Sequence, residues 1–225
     1  MKIGVDCHLL SGIFQGSRTY LLNIYRSILA LKPSHEFFFF GHWGEKYFGV
    51  SNRYIDYPSD SRWKRLTYQS APLVRRFGLD VLHSQYISPF ILPCKSLVTI
   101  HDILFETNPL FFNNTQLIRN RILVKHCAKK AEQIHTVSEF SKQAMVDIYH
   151  IPESIIHIVP DGVDLSLFNK NNCESASIRV RNIFRVENYI LSVGRIEPRK
   201  NHIGLLYAYS EVKQQQKDIG PLVIV

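Results

Sequence analysis

The chain has 225 residues, of which 45% are hydrophobic and 20% are charged, a composition typical of a folded globular protein rather than a disordered one. No apolar run approaches the about 18 residues that a membrane span needs, and the run at residues 1–6 is too short for a signal peptide. The net charge of +8 favours an anionic partner, namely nucleic acid, a phosphorylated substrate or anionic lipid; a merely solvated basic surface is the alternative.

The four cysteines form neither a close pair nor a metal-binding spacing; they are Cys7, Cys94, Cys127 and Cys173. This pattern predicts reduced thiols and a cytoplasmic location.

Strand-like segments alternate with helix-like segments along the chain. In chain order, the predicted elements are a strand at 3–7, a helix around 21–29 that ends near Pro33, a strand at 36–41, a helix at 59–77, strands at 80–83 and 97–100, a helix at 113–130, a strand at 133–137, a helix capped by Ser138 and a strand at 155–159. A polar segment at 169–177 is followed by a strand at 189–193, a helix at 201–217 and a strand at 222–225. The alternation predicts an α/β protein with a Rossmann-like parallel sheet and helices on both faces.

Three loops follow predicted strands, where open α/β sheets bind their ligands. The first has the spacing Gly12-x-x-x-Gly16, which is neither the dinucleotide fingerprint nor a P-loop and by itself indicates a tight turn. The second begins at His101, which by itself indicates a structural histidine; a hydrogen bond to a sugar hydroxyl or to a developing charge is the alternative. The third carries Arg195 and Lys200 before a helix, a placement that favours binding of a diphosphate.

The sequence contains no Asp-x-Asp pair, so a divalent metal held in that way is not predicted. No combination of serine, histidine and acid indicates hydrolysis. Nucleic-acid binding would rest on charge alone, because no aromatic and basic platform accompanies it.

Taken together, the segments resemble the retaining family 4 glycosyltransferases. The matching segments, in order, are 11–20 (SGIFQGSRTY), 99–102 (TIHD), 135–142 (HTVSEFSK), 158–164 (IVPDGVD), 192–195 (SVGR) and 198–201 (PRKN). This resemblance implies the GT-B fold, in which two Rossmann-like domains face each other. It implies an acceptor-side domain at residues 1–168, a linker at 169–187 and the beginning of a donor-binding domain at 188–225.

The resemblance also assigns roles to individual residues. It places His101 at the transferred sugar as the catalytic residue, and Gly16, Arg195 and Lys200 at the donor diphosphate, where the two cations replace a metal. It makes Asp102, Ser138 and Glu139 residues that line the cleft. No cofactor is expected, because the nucleotide-sugar is a substrate.

The resemblance implies transfer of a hexose, with mannose as the finer prediction, to a growing surface glycan or lipid-linked acceptor, as in polysaccharide and lipopolysaccharide biosynthesis. The basic and aromatic segments 62–65 and 75–77 predict peripheral contact with the anionic inner face of a membrane; a solvated helix is the alternative.

The chain departs from the family pattern at two places. Phe14 and Gln15 are bulkier than the usual residues of the first loop, and the 25 residues after Lys200 lack the paired-glutamate motif that grips the donor. The departures predict a glycosyltransferase truncated early in its second domain and inactive by itself. The alternative is a non-catalytic remnant, or a sugar- or nucleotide-binding module on the same fold.

Overall fold

The computed structural model describes residues 1–11, 16–31, 33–41, 47–49 and 53–225. This part of the chain divides into two compact units, Met1–Gly162 and Val163–Val225.

The first unit is built on a sheet in which the described residues form seven strands. They are Lys2–Asp6 (β1), Glu36–Phe40 (β2), Tyr54–Ile55 (β3), Val81–Gln85 (β4), Lys95–Thr99 (β5), Gln133–Thr136 (β6) and Ile156–Ile158 (β7). All pairs are parallel, in the order β3-β2-β1-β4-β5-β6-β7. The predicted Rossmann-like parallel sheet is therefore confirmed. The order changes direction between β1 and β4, where such sheets open a ligand crevice at the carboxyl ends of their strands.

Helices connect these strands. They are Gly16–Ala30 (α1), Arg62–Lys64 (α2), Ser70–Phe77 (α3), Leu104–Thr107 (α4), Asn114–Lys130 (α5) and Glu139–Tyr149 (α6), with short 3₁₀ turns at His8–Ser11, Pro109–Phe111 and Glu153–Ile155. No helix in the described ranges has the length and apolarity to cross a bilayer.

The helical segment predicted at 59–77 begins later and is interrupted. Ser61 caps it by accepting a hydrogen bond from the backbone of Lys64, and a π-helical turn at Arg65–Gln69 separates α2 from α3. The predicted cap of α6 is confirmed, because the Ser138 side chain accepts from the backbone N–H of Ser141.

The apolar core lies on both faces of the sheet. Phe39 packs with Val5 and Leu21 under α1, whereas its neighbour Phe40 packs with Leu82 and Val74 of α3. Adjacent residues of a strand point to opposite faces, so a strand made of four phenylalanines fits only a sheet covered on both sides. This is the reason that residues 37–40 carry no polar side chain.

The second unit contains a parallel pair of strands joined by a helix. The elements are Lys170–Asn172 (3₁₀), Cys173–Phe184 (α7), Ile190–Ser192 (β8), Pro198–Lys200 (3₁₀), His202–Gln215 (α8) and Leu222–Ile224 (β9). Helix α7 lies inside the segment 169–187 that the sequence predicts to be a linker. Asn169 accepts from the backbone of Asn172 at the start of this helical segment, so its polar residues serve as caps.

Candidate functional site

His101 lies just beyond the carboxyl end of β5 and is half-buried. Its Nε2 atom is 2.9 Å from Oε1 of Gln85, the last residue of the neighbouring strand β4. Gln85 is paired in register with Thr99, so the two strands end side by side and bring these two side chains together. Strand pairing thus places His101 at the carboxyl ends of the strands, where ligands bind in open α/β sheets.

Two tyrosines hold the His101 ring. The Tyr20 ring of α1 meets it edge-on, with centroids 4.9 Å apart and planes at 85°. The Tyr86 ring is tilted against it at 5.7 Å. Tyr86 has a φ of 59°, a left-handed conformation that is rare for a bulky side chain and that concentrates at functional sites.

The environment of His101 favours the neutral imidazole. Burial lowers the pKa of His101 below its ordinary value, although the carboxylates of Asp161 and Asp102 oppose this shift. A histidine with a lowered pKa is uncharged at pH 7, so it donates one hydrogen bond and accepts one. His101 can therefore bind a hydroxyl group without presenting a full positive charge.

A buried polar chain lies beside this site on the same sheet. His83 of β4 is buried, with Nδ1 2.6 Å from the Tyr25 hydroxyl and Nε2 2.7 Å from Oγ1 of Thr99. Burial, and then the nearby His135, lower the pKa of His83 to about 3. The interior therefore holds this histidine in its neutral form.

Acid is expected to destabilise the first unit through His83. The pKa is about 3 in the folded protein and about 6.5 when unfolded, so between these values the unfolded state binds the extra proton and stability falls as the pH falls. The slope approaches about 1.4 kcal/mol per pH unit for one such group. Urea unfolding from pH 4 to 6.5 should show a flatter stability curve for His83→Asn than for the wild type. The exposed His126→Asn control should keep the wild-type slope, and an equal slope in all three proteins would contradict the assignment.

A second buried cluster occupies the carboxyl end of β1. Asp6 is fully buried between the guanidinium of Arg65 and Nδ1 of His8, which lies 3.1 Å from its Oδ1. Burial alone raises the pKa of Asp6, but Arg65 and then His8 hold it well below its ordinary range. Arg65 reaches this position from the π-helical turn, so it belongs to the interior rather than to the basic surface that the sequence predicts for residues 62–65.

The other predicted residues of the first unit occupy helix ends. Gly16 begins α1 and is exposed, and a Cβ atom built on it would meet no atom within 4 Å. Asp102 accepts from the backbone N–H of Leu104 at 3.1 Å and is exposed. Ser138 and Glu139 begin α6 after β6, the strand next to β5. Gly12, Phe14 and Gln15 of the first loop lie outside the described residues.

Arg195 and Lys200 lie together in the loop between β8 and α8 of the second unit. The Arg195 guanidinium is 59% exposed and its Nη1 is 3.2 Å from Oε1 of Glu197, which also binds Arg199 at 2.6 Å. The stem of Lys200 lies beside Gly194, 3.8 Å from the position that a Cβ atom on this glycine would take. The loop thus presents exposed cations directly before a helix.

The structure groups His101, Asp102, Ser138 and Glu139 at the ends of adjacent strands, and groups Arg195 with Lys200. The roles assigned to them stay predictions. Sequence analysis gave no role to Gln85 or Tyr86, although both follow the same strand-end rule that singled out His101.

No cluster of three or more metal-ligating His, Cys, Asp or Glu side chains occurs in the residues that the structure describes. The expectation of a metal-independent reaction stays a prediction.

The strand order defines an α/β protein with a Rossmann-like parallel sheet. The model of the family described as Glycosyltransferase Family 4 matches residues 14–167, which is more than half of the chain. The chain belongs to glycosyltransferase family 4.

One curated relative and several solved structures are similar to the chain. It is 24% identical over 130 residues to the O-antigen chain mannosyltransferase B of Escherichia coli; this alignment covers 58% of the chain and 34% of that relative. Anabaena Alr3699/HepE in complex with UDP-glucose has a TM-score of 0.62 at 17% identity, over 94% of the chain and 57% of HepE. A glycosyltransferase from Rickettsia africae has a TM-score of 0.54 at 16% identity, over 100% of the chain and 67% of that protein.

These likenesses show a shared fold, that of GT-B glycosyltransferases. The chain spans about a third of the mannosyltransferase and 58% of HepE as solved in complex with UDP and glucose.

Proposed function

We propose that the protein transfers a hexose, with mannose the first candidate, from a nucleotide-sugar to a growing surface glycan or lipid-linked acceptor, with retention of configuration. The observation that carries this proposal is His101, a neutral and half-buried imidazole at the ligand-binding edge of a family 4 sheet. The UDP-glucose complex of Anabaena HepE supports a nucleotide-sugar donor, and the Escherichia coli relative supports mannose and a surface glycan.

In the proposed mechanism, His101 hydrogen-bonds a hydroxyl of the transferred sugar while the glycosidic bond to the diphosphate loosens. Arg195 and Lys200 stabilise the negative charge that develops on the leaving diphosphate, an electrostatic contribution that is often the largest in group transfer. The N-terminus of α8, which follows Lys200, adds its own preference for an anion.

The test is calorimetric titration of the complete gene product with uridine and guanosine diphosphate sugars. We expect saturable binding of at least one of them, with the free sugars binding far more weakly because they lack the diphosphate. Absence of binding by every nucleotide-sugar, in a protein whose circular dichroism shows it to be folded, would overturn the proposal. Binding that is not followed by release of nucleoside diphosphate in a transfer assay would support the alternative, a non-catalytic nucleotide- or sugar-binding module.

We also propose that the first unit contacts an anionic membrane through a basic and apolar surface, which would bring the protein to a lipid-linked acceptor. Trp63 and Tyr68 are 53% and 58% exposed beside Arg62 and Lys64. Burial and the nearby charge of Arg62 lower the pKa of Arg119, which indicates that α5 lies close by. The exposed apolar residues of α5 and of the 3₁₀ turn before it are Leu110, Phe111, Ile118 and Ile122.

This surface differs from the one expected from the sequence at two residues. Arg65 is buried against Asp6, and Phe77 is half-buried against Phe38 and Phe40 of β2. Arg65 is therefore not available to lipid and Phe77 is only partly so, whereas the apolar residues of α5 named above are exposed.

The double variant Trp63→Ala/Lys64→Ala should weaken binding to vesicles of anionic lipid at least fivefold. One basic residue near an anionic surface contributes about 1 kcal/mol, and loss of the tryptophan adds to this. Co-sedimentation at low salt measures the effect. The control is Tyr207→Ala/Lys217→Ala, which removes an exposed aromatic ring and one charge from the second unit. Equal losses in both double variants, or wild-type binding no tighter than to neutral vesicles, would reject a specific surface.

A further inference from the structure

We propose that Gln85 is a positioning residue that fixes the tautomer of His101, so that Nε2 carries the proton and Nδ1 presents its lone pair to the sugar. This inference rests on the proposed function of His101. The side-chain oxygen of Gln85 accepts hydrogen bonds only, so the imidazole nitrogen 2.9 Å from it must be the donor. In a neutral ring the other nitrogen is then an acceptor.

The Gln85 side chain is buried, and its amide is only partly satisfied there. The residue is 3% exposed, and its Nε2 atom has no hydrogen-bond partner in the part of the chain that the structure describes. A buried amide nitrogen without a partner destabilises a fold. A leucine of similar size would avoid this penalty, but it would leave His101 without an acceptor.

The backbone around Gln85 holds the amide in place. The N–H of Tyr86 donates to the Thr99 carbonyl at 2.8 Å, and the N–H of Ile87 donates to the Gln85 carbonyl at 2.7 Å. These bonds close a tight turn around the left-handed Tyr86, whose ring then packs against His101. Gln85 and Tyr86 therefore reach the imidazole from one strand end as a single unit.

The fixed tautomer has a chemical consequence. With Nε2–H engaged by Gln85, the Nδ1 lone pair of His101 is the group that accepts a hydrogen bond from a hydroxyl of the bound sugar. The charged and titratable groups around the ring are Asp161, Asp102, Tyr20, Tyr86 and, from the interior, His83. Neither carboxylate forms a hydrogen bond to the imidazole in the described residues, so Gln85 alone selects the protonated nitrogen.

Nitrogen-15 NMR of the imidazoles tests the inference independently of activity. We expect the wild-type His101 ring to be in the Nε2–H form at pH 7 and to become a mixture of both tautomers in Gln85→Leu. In Gln85→Glu, the added carboxylate should stabilise the imidazolium and move the His101 titration to higher pH. Turnover should fall about 10- to 100-fold in Gln85→Leu, by analogy with the loss of the hydrogen bond that orients a metal-bound histidine.

The chain offers a matched control in the exposed pair of His157 and Gln133, which makes the same contact between Nε2 and Oε1. Gln133→Leu should change neither the His101 resonances nor turnover. An Nδ1–H form in the wild type, or an unchanged tautomer in Gln85→Leu, would overturn the inference about Gln85. If the tautomer shifts as expected but turnover is unaffected, the positioning contact stands and the proposed role of His101 in transfer is wrong.

Discussion

Replacing His101 by alanine is expected to lower the rate of sugar transfer by the complete gene product about 100- to 1,000-fold. This is the usual effect of removing one preorganised hydrogen-bonding group from a transition state. The unfolding temperature should fall by no more than a few degrees, because the side chain is half-buried and its loss leaves only the Gln85 oxygen without its partner. Nucleoside diphosphate release and calorimetry measure the two effects on the same samples.

The comparison variant is His83→Asn, which alters a buried histidine on the neighbouring strand. It should show the opposite pattern, namely a clear loss of stability through its contacts with Tyr25 and Thr99. A large loss of stability in His101→Ala, with the remaining folded protein fully active, would show that His101 is structural.

The second large effect is expected in the basic loop of the second unit. Arg195→Ala and Lys200→Ala should each weaken binding of nucleoside diphosphate about 10- to 100-fold, because charge-assisted hydrogen bonds contribute about 1.5–3 kcal/mol. In the ion pair of Arg195 with Glu197 the arginine is exposed and the glutamate is partly exposed, and such pairs at the surface are worth about 1 kcal/mol or less. A phosphate can therefore displace Glu197 at little cost. Isothermal titration of each variant gives the affinities.

Arg199→Ala is the matched control for this loop. Arg199 carries the same charge and binds the same Glu197, so its removal changes the net charge equally. We expect the affinity of this variant for nucleoside diphosphate to stay within about threefold of the wild type, since only long-range attraction between screened charges is lost. If Arg199→Ala weakens binding as much as Arg195→Ala and Lys200→Ala do, the loop contributes charge but no specific contact.

Much of the fold follows from local patterns in the sequence. The strand at 36–40 consists of one glutamate and four phenylalanines, and such a run fits a parallel strand buried on both faces. The Ser138 cap was also predictable, because a serine before an apolar-periodic segment satisfies a free backbone N–H group. The two-residue strand β3 is too short for any periodicity, and α7 starts among asparagines and serines that also suit a loop.

The candidate site was only partly predictable. His101 follows a conspicuous apolar strand, whereas Gln85 lies next to it only because β4 and β5 pair in register, a long-range relation that no local pattern contains. Arg65 looks like its basic neighbours in the sequence. A π-helical turn directs it to the buried Asp6 instead, so its charge forms an ion pair inside the fold and does not add to the basic surface.

The most direct test of the central claim is a transfer assay of the complete gene product with UDP-glucose and with nucleotide-activated mannose, in the presence and absence of lipid-linked glycan acceptors. We predict acceptor-dependent release of nucleoside diphosphate, and a product in which NMR shows that the transferred hexose keeps the anomeric configuration of the donor. Binding of nucleotide-sugars without any release, with every donor and acceptor, would contradict a transferase and establish a non-catalytic binding module.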